Sequence, residues 1–223
     1  MATHGEIKVT RFTASGSWTV DPLTVYAVIE CWGGGGAGGR ISGTQNGTFH
    51  ASAGGGSGGY GRKTFNKADI NAGPYNVTIG PGGTSGGGTA SRVLTSPNAA
   101  GIGGPTGPAL STGQLVPTIY TSGDAGSPNA DQTAQDILTH PRIGKSGIAL
   151  DRTVGGRMTG FGSAGSLGAG NPGAHTPTAE PANTGAGGGG TGAFNSTGIP
   201  SSPKNGGAGG SGQVVITEYL GPS

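Results

Sequence analysis

Charge is scarce in this chain: twelve Lys and Arg stand against ten Asp and Glu in 223 residues, a net of +2. A chain held unfolded by self-repulsion carries far more, and a nucleic-acid binder gathers its basic residues on one face or stripe. The Gly-Arg pairs at Gly39 and Arg40, Gly61 and Arg62, and Gly156 and Arg157 are too scattered for an arginine-glycine tract, so nucleic acid is not an expected partner. Cysteine is nearly absent as well. Cys31 stands alone, which excludes an internal disulfide and marks a small buried hydrophobe on a strand. No apolar run reaches the roughly 18 residues of a membrane span, and "MATHGEIKV" has no cationic start followed by an apolar core. The expectation is a product made in the cytoplasm without a signal peptide and without membrane insertion. The sequons at Asn46, Asn76 and Asn195 then carry no glycan.

What is abundant is glycine, 53 residues, with 15 prolines. That level suits a low-complexity chain, but several well-formed apolar segments and the low charge argue for order. The first glycine run, in "VIECWGGGGAGGR", matches a dinucleotide fingerprint at Gly33, Gly35 and Gly38. The fingerprint works because a helix follows and aims free N–H groups at the pyrophosphate. Here "ISGTQNGTFHAS" follows, without helical apolar spacing, and no acidic residue stands about 20 residues on for a ribose. The two G-x-S-x-G matches, at Ser57 and Ser85, do not stand between a buried strand and a helix as a nucleophile elbow must. Gly144, Lys145 and Ser146 lack a P-loop's first glycine, since position 139 is Thr139. No cofactor is expected.

Strand patterns lie at both ends. Residues 6–12, "EIKVTRF", set Ile7 and Val9 on one face; 17–20 carry Trp18; 25–32, "VYAVIECW", are apolar on both faces and read as a buried strand. Residues 75–79 alternate through Tyr75, Val77 and Ile79, and 213–220, "QVVITEYL", alternate again. A first and a last strand of this quality invite pairing with each other, so the fold class is all-β, a β-sandwich-like scaffold built from the terminal strands. Glycine runs at 33–39, 54–61, 80–88, 101–104, 185–192 and 206–212 lie between. Two readings account for them. They are wide loops on the sandwich, or they form a bundle of polyglycine II helices, threefold and extended. In the second, the missing Cβ lets neighbouring backbones approach and satisfy one another's N–H and C=O groups. Ordering glycine is costly in entropy, so a bundle needs a clamp, for which Trp18, Trp32, Phe12 and Tyr26 are candidates. The chain reads as one domain over 1–223 with an insertion at 105–160, in which "ADQTAQDIL" predicts one short helix capped by Ser127 or Asn129 and stopped by Pro141.

"FTASGSWTVDP" at 12–22, a strand ending in Trp and a glycine run, "YNVTIGPGGTSGGG" at 75–88 and "NGGAGGSGQVVITEY" at 205–219 together resemble the glycine-rich domain of bacteriophage tail fibre and receptor-binding proteins. In design the chain is also similar to the tail fibre tip adhesins of T-even phages, in which packed polyglycine II motifs carry variable binding loops. The resemblance implies a virion protein at the tail tip that recognises the host surface. Its partners would be a host receptor, protein or glycan, and other tail or fibre proteins, and its assembly a homotrimer as in fibres, with a monomeric cap as the alternative. The chain departs from those adhesins in its long insertion and in having no evident fibre-attachment region.

Recognition residues belong on the segments between runs, because loops vary without disturbing a scaffold. Four segments qualify: 40–52 with Phe49 and His50, 105–160 with Tyr120, His140, Arg142 and Met158, 171–184 with His175, and 193–204 with Phe194 and Asn195. Aromatics and arginine give contact area at small rotamer cost. Phe49 and Phe194 also fit a local core, and Arg142 a solvated helix end. Enzymatic signals are weak. The four histidines have no metal-ligand spacing, and Asp124, Asp131, Asp136 and Asp151 form no motif for polysaccharide cleavage. The expectation is a non-enzymatic adhesin; the alternatives are a structural tail or baseplate component and a polysaccharide-cleaving tail enzyme.

Overall fold

The computed structural model describes residues 5–39, 49–52, 55–70, 73–84, 88, 91–93, 99–101, 109–111, 118–119, 137–139, 148–149, 157–158, 192–194 and 205–222. Among these the chain is all-β. The strands are β1 (Ile7–Phe12), β2 (Gly16–Trp18), β3 (Thr24–Trp32), β4 (Phe49–Ser52), β5 (Tyr60–Asn66), β6 (Tyr75–Thr78), β7 (Ser91–Val93) and β8 (Ala99–Gly101). They continue with β9 (Ala109–Ser111), β10 (Thr118–Ile119), β11 (Ile137–Thr139), β12 (Ile148–Ala149), β13 (Arg157–Met158), β14 (Gly192–Phe194) and β15 (Gln213–Leu220). One turn of 3-10 helix, Lys67–Asp69, accompanies them. All described strand pairs are antiparallel.

The first and last strands do pair, from Ile7 opposite Tyr219 to Phe12 opposite Val214. The strand apolar on both faces, β3, takes a central place, with β15 on one side and β5 on the other, in a sheet ordered β1-β15-β3-β5-β11. A second sheet, β2-β6-β7-β8, packs against it. Their facing sides bury Ala27, Ile29, Cys31, Phe65, Val214 and Ile216 from the first sheet against Trp18, Val77 and Val93 from the second, with Val20, Ile70 and Ile79 from the connections. The result is a β-sandwich. At Gly73 the chain turns with φ +79°, and a Cβ there would also crowd the Trp18 carbonyl, so glycine is required.

Two expectations are corrected and one gains detail. The aromatic clamp is split between two faces: Trp18 is buried in the core, whereas Tyr26 stacks on Tyr219 at 4.2 Å and Trp32 tilts against Tyr60 at 4.9 Å on the sheet's outer side. Ile7 and Val9 do share a face, but it is that outer face, and both are exposed. The short helix expected in the insertion does not run through Ile137 and Leu138, which belong to β11 opposite Arg62 and Gly61; residues 127–136 of that helix lie outside the described residues. The β-branched Ile137 and Thr139 suit a strand on the edge of β5.

The glycine runs continue the strands. Run 33–39 extends β3, run 55–59 leads into β5, run 80–84 follows β6 closely, and run 205–212 leads into β15. Cross-strand register carries over unchanged while the repeat does not. Beyond the Trp32 and Tyr60 pair, Gly33 N–H donates to the Gly59 carbonyl at 2.9 Å and Gly36 to Gly56 at 2.8 Å. Beyond the Trp32 and Gln213 pair, Gly35 donates to Gly210 and Gly38 to Gly207, both at 2.9 Å. Gly209 donates to Gly83 and Gly212 to Gly80 at 2.9 Å, and Gly83 donates to Gly35 at 2.8 Å. The same neighbour is therefore met every third residue, where a β-ladder repeats every second. Three is the repeat of polyglycine II, and among the described runs 33–39, bonded to the other three, is the centre. The wide-loop reading does not describe these segments. A Cβ built on Gly34, Gly55, Gly58, Gly82, Gly88, Gly206, Gly209 or Gly212 would come within 3.0 Å of a neighbour's backbone, closer than real side chains approach.

The opposite end of the sheet is tied by a buried carboxylate. Glu218, fully buried, accepts from Asp21 N–H at 2.8 Å and Thr24 Oγ1 at 2.9 Å. Lys8 Nζ lies 3.1 Å from Asp21 Oδ2 and 3.8 Å from Glu218 Oε2. The Leu23 N–H first, and then Lys8, hold the Asp21 carboxyl below its ordinary range, and the bond to Asp21 raises Lys8 against the opposing effect of its own desolvation.

Two predictions follow from this packing. Gly209→Ala, whose methyl would meet the Gly35 carbonyl, is expected to destabilise by about 1–3 kcal/mol or more, read from denaturant unfolding. Gly16→Ala, where the nearest atom is Phe12 Cε1 at an ordinary 3.7 Å, is expected to be neutral or stabilising by about 0.5 kcal/mol; equal effects at the two sites would contradict the close-packed runs. Cys31 is wholly buried, and desolvation pushes its thiol far up. It should not react with an aromatic disulfide reagent in the native protein and should react stoichiometrically once unfolded.

Candidate functional site

The bundle fixes what hangs from it. Runs 33–39 and 55–59 are bonded to each other by Gly36 and Gly56, so the chain between them leaves and re-enters a rigid support. Within that excursion lies β4, "FHAS", whose aromatic and alternating character suits a short strand. It is the middle of a three-stranded sheet ordered β14-β4-β9. On one side Phe49 stands opposite Phe194, His50 opposite Ala193 and Ala51 opposite Gly192. On the other, His50 stands opposite Ser111, Ala51 opposite Leu110 and Ser52 opposite Ala109.

Three of the four segments between runs thus meet in one small sheet. Phe49 and His50 come from the first, Leu110 and Ser111 from the insertion, and Phe194 from the last. Beside β4 lies β12, the middle strand of a further sheet ordered β10-β12-β13. There Met158 pairs with Ile148, and Ile148 with Ile119. Met158 is therefore placed on a strand next to the one that adjoins β4. Tyr120 follows β10 in sequence and Asn195 follows β14, but Tyr120, Arg142, His175 and Asn195 lie outside the described residues, as does His140. Sequence reasoning named Phe49 and Phe194 separately and missed both their pairing and the contribution of β9. The segment "ALS" carries no motif, and pairing between strands so far apart in sequence leaves no local periodicity.

Elsewhere the chemistry suggested by short motifs is already spent. Gly33, Gly35 and Gly38, the dinucleotide look-alike, donate their N–H groups to Gly59, Gly210 and Gly207, so none of the three points at a phosphate. Ser57 is buried inside a glycine run rather than presented on a strand-to-helix turn. At the junction of sheet and bundle, Tyr60 donates its hydroxyl to Glu30 Oε1 at 2.6 Å. Burial first, and then the Glu30 carboxylate, push that phenol well above its ordinary range, so Tyr60 is a fixed donor and not an acid at neutral pH.

What this arrangement can do is present side chains. A covalently continuous, hydrogen-bonded support carries a sheet assembled from the segments between runs, and the described part of that sheet holds aromatic, imidazole and hydroxyl residues but no paired carboxylates. Comparison with curated proteins finds no match. The family model for the glycine-rich domain matches residues 10–219, from the terminal sandwich strands through every run of the bundle, and the chain belongs to that family.

Proposed function

We propose that the protein is a bacteriophage tail-tip receptor-binding protein, an adhesin that recognises the host bacterial surface through the segments carried by its glycine bundle. The observation that carries this reading is the convergence of three of the segments between runs on β4, between runs that are cross-linked to each other. Such a site separates the two demands on an adhesin: the support is specified by backbone geometry, and the presented side chains are free to differ. The resemblance of the end motifs to phage fibre domains agrees with it. In this reading Phe49, His50, Phe194 and Met158 form the near part of the contact surface, with Tyr120, Arg142 and Asn195 on the same segments and His175 on the fourth. Aromatic faces and an imidazole suit either a receptor loop or the apolar face of a sugar. The protein works as part of the virion, at the tail tip, beside other tail or fibre proteins.

A second reading has one observation in its favour. Phe49 directly opposite Phe194 is also how a small sheet builds its own core, and a structural tail component would need nothing more.

Binding of the purified, fluorescently labelled protein to host cells, in competition with the parent phage, separates the two. The adhesin reading predicts saturable binding that blocks adsorption. It also predicts that His50→Ala and Phe194→Ala weaken binding at least about tenfold, the loss of about 1.4 kcal/mol, with native circular dichroism retained. A folded protein that binds no cells and does not compete is the structural component.

A further inference from the structure

His50 and Phe194 belong to one small sheet but not to one face of it. Residues directly opposite in an antiparallel pair share a face, and neighbours along a strand alternate. The register of β14, β4 and β9 therefore sets Phe49, Ala51, Phe194 and Leu110 on one face, with Gly192. His50, Ser52 and Ser111 lie on the other, with Ala109 and Ala193 beside them. The sheet of β10, β12 and β13 divides in the same way. Ile119, Ile148 and Met158 share one of its faces, and Thr118, Ala149 and Arg157 share the opposite one.

The strands β4 and β12 are neighbours, and each is the middle strand of its sheet. A middle strand has a ladder partner on both sides, so anything else that lies beside it comes over a face. The two small sheets are therefore stacked. Of the four ways in which their faces can meet, one encloses only apolar residues and a glycine, with the Phe49 and Phe194 face against the face of Ile119, Ile148 and Met158. The other three enclose His50 with two serines, or Thr118 with Arg157, or both sets. Burying apolar area is favourable, and burying a polar or charged group without a partner is costly.

We propose that the face carrying His50, Ser52 and Ser111 is the one that meets the ligand, that β12 covers the face of Phe49 and Phe194, and that the ligand is a neutral, hydroxyl-rich glycan of the host surface. This rests on the adhesin reading and narrows its contact surface to one side of the sheet. His50 stands in the middle of a row, between Ala193 and Ser111, and Ser52 follows two residues along β4. Hydroxyl and neutral imidazole groups both donate and accept hydrogen bonds, and the alanines beside them are small. Among the described residues that face holds no carboxylate, ammonium or guanidinium to select a charged ligand. Nor does it hold a Trp, Tyr or Arg of the kind that anchors a protein interface. Ligand hydroxyls, themselves donors and acceptors, fit such a set. Phe49, Phe194 and Met158 are positioning residues that act through the strand of His50.

The test is binding of the full labelled chain to intact host cells, to cells whose glycans have been oxidised with periodate and to cells treated with protease, for the native protein and for Ser111→Ala, Ser111→Thr and Phe194→Leu. The expected result is that periodate abolishes binding and protease does not. Ser111→Ala binds about fivefold more weakly at an unchanged melting temperature, as the loss of one hydrogen bond does. Ser111→Thr, which keeps the hydroxyl on a residue that favours strands, restores binding. Phe194→Leu, which keeps an apolar residue on the covered face, binds as the native protein does, whereas Phe194→Ala weakens binding by loosening the support. A native protein that binds no cells overturns the adhesin reading and this proposal with it. Where the native protein binds, survival of binding after periodate, a Ser111→Ala protein that binds as the native one does, or a Phe194→Leu protein that binds less overturns this proposal alone.

Discussion

The backbone hydrogen bond between glycine runs, made once every three residues and only where no Cβ intervenes, is the constraint on which this structure depends. Run 33–39 donates to two neighbours and accepts from a third, and six of its seven residues have no side chain to pack. Buried backbone groups without internal partners would be ruinous singly. Exchanged among four runs they become the lattice. The entropic cost of ordering so much glycine is met at one end of the bundle, by a sandwich whose strands enter the runs already in register. Trp32 sits beside Tyr60 and Gln213, and the next bonds along, from Gly33 and Gly35, follow without a slip.

On the proposed adhesin reading, the same arrangement would let poorly patterned segments carry recognition. A loop between two free strands must supply its own order. The excursion that contains Phe49 and His50 begins and ends on backbones bonded to one another, and its strand recruits β9 and β14 from elsewhere in the chain. The lattice itself tolerates almost no side chain at its inner positions.

Much of the scaffold was legible in the sequence because its signals are local. Alternation in "EIKVTRF" and "QVVITEY" announced strands, the unbroken apolar run before Trp32 announced a central one, and their pairing followed from position at the two ends. The glycine runs left wide loops and a close-packed bundle both open. What local patterns could not give was partnership. "ADQTAQDIL" has helix formers in plenty, yet Ile137 and Leu138 went to the open edge of β5. Phe12, Trp18, Tyr26 and Trp32 were visible as a set, but which faced the core depended on a register that only the assembled sheets define. For the site, the residue types at Phe49, His50 and Phe194 were readable, and the sheet that joins them was not, because it pairs strands far apart in sequence.

Amide hydrogen exchange measured residue by residue tests the central claim most directly. If the runs form a period-three lattice, the amides of Gly33, Gly35, Gly36, Gly38, Gly83, Gly209 and Gly212 exchange slowly, with protection comparable to that of the central strand β3. Exchange of those amides at the rate of free peptide, while β3 remains protected, would show that the runs are loops and that the scaffold ends at Trp32.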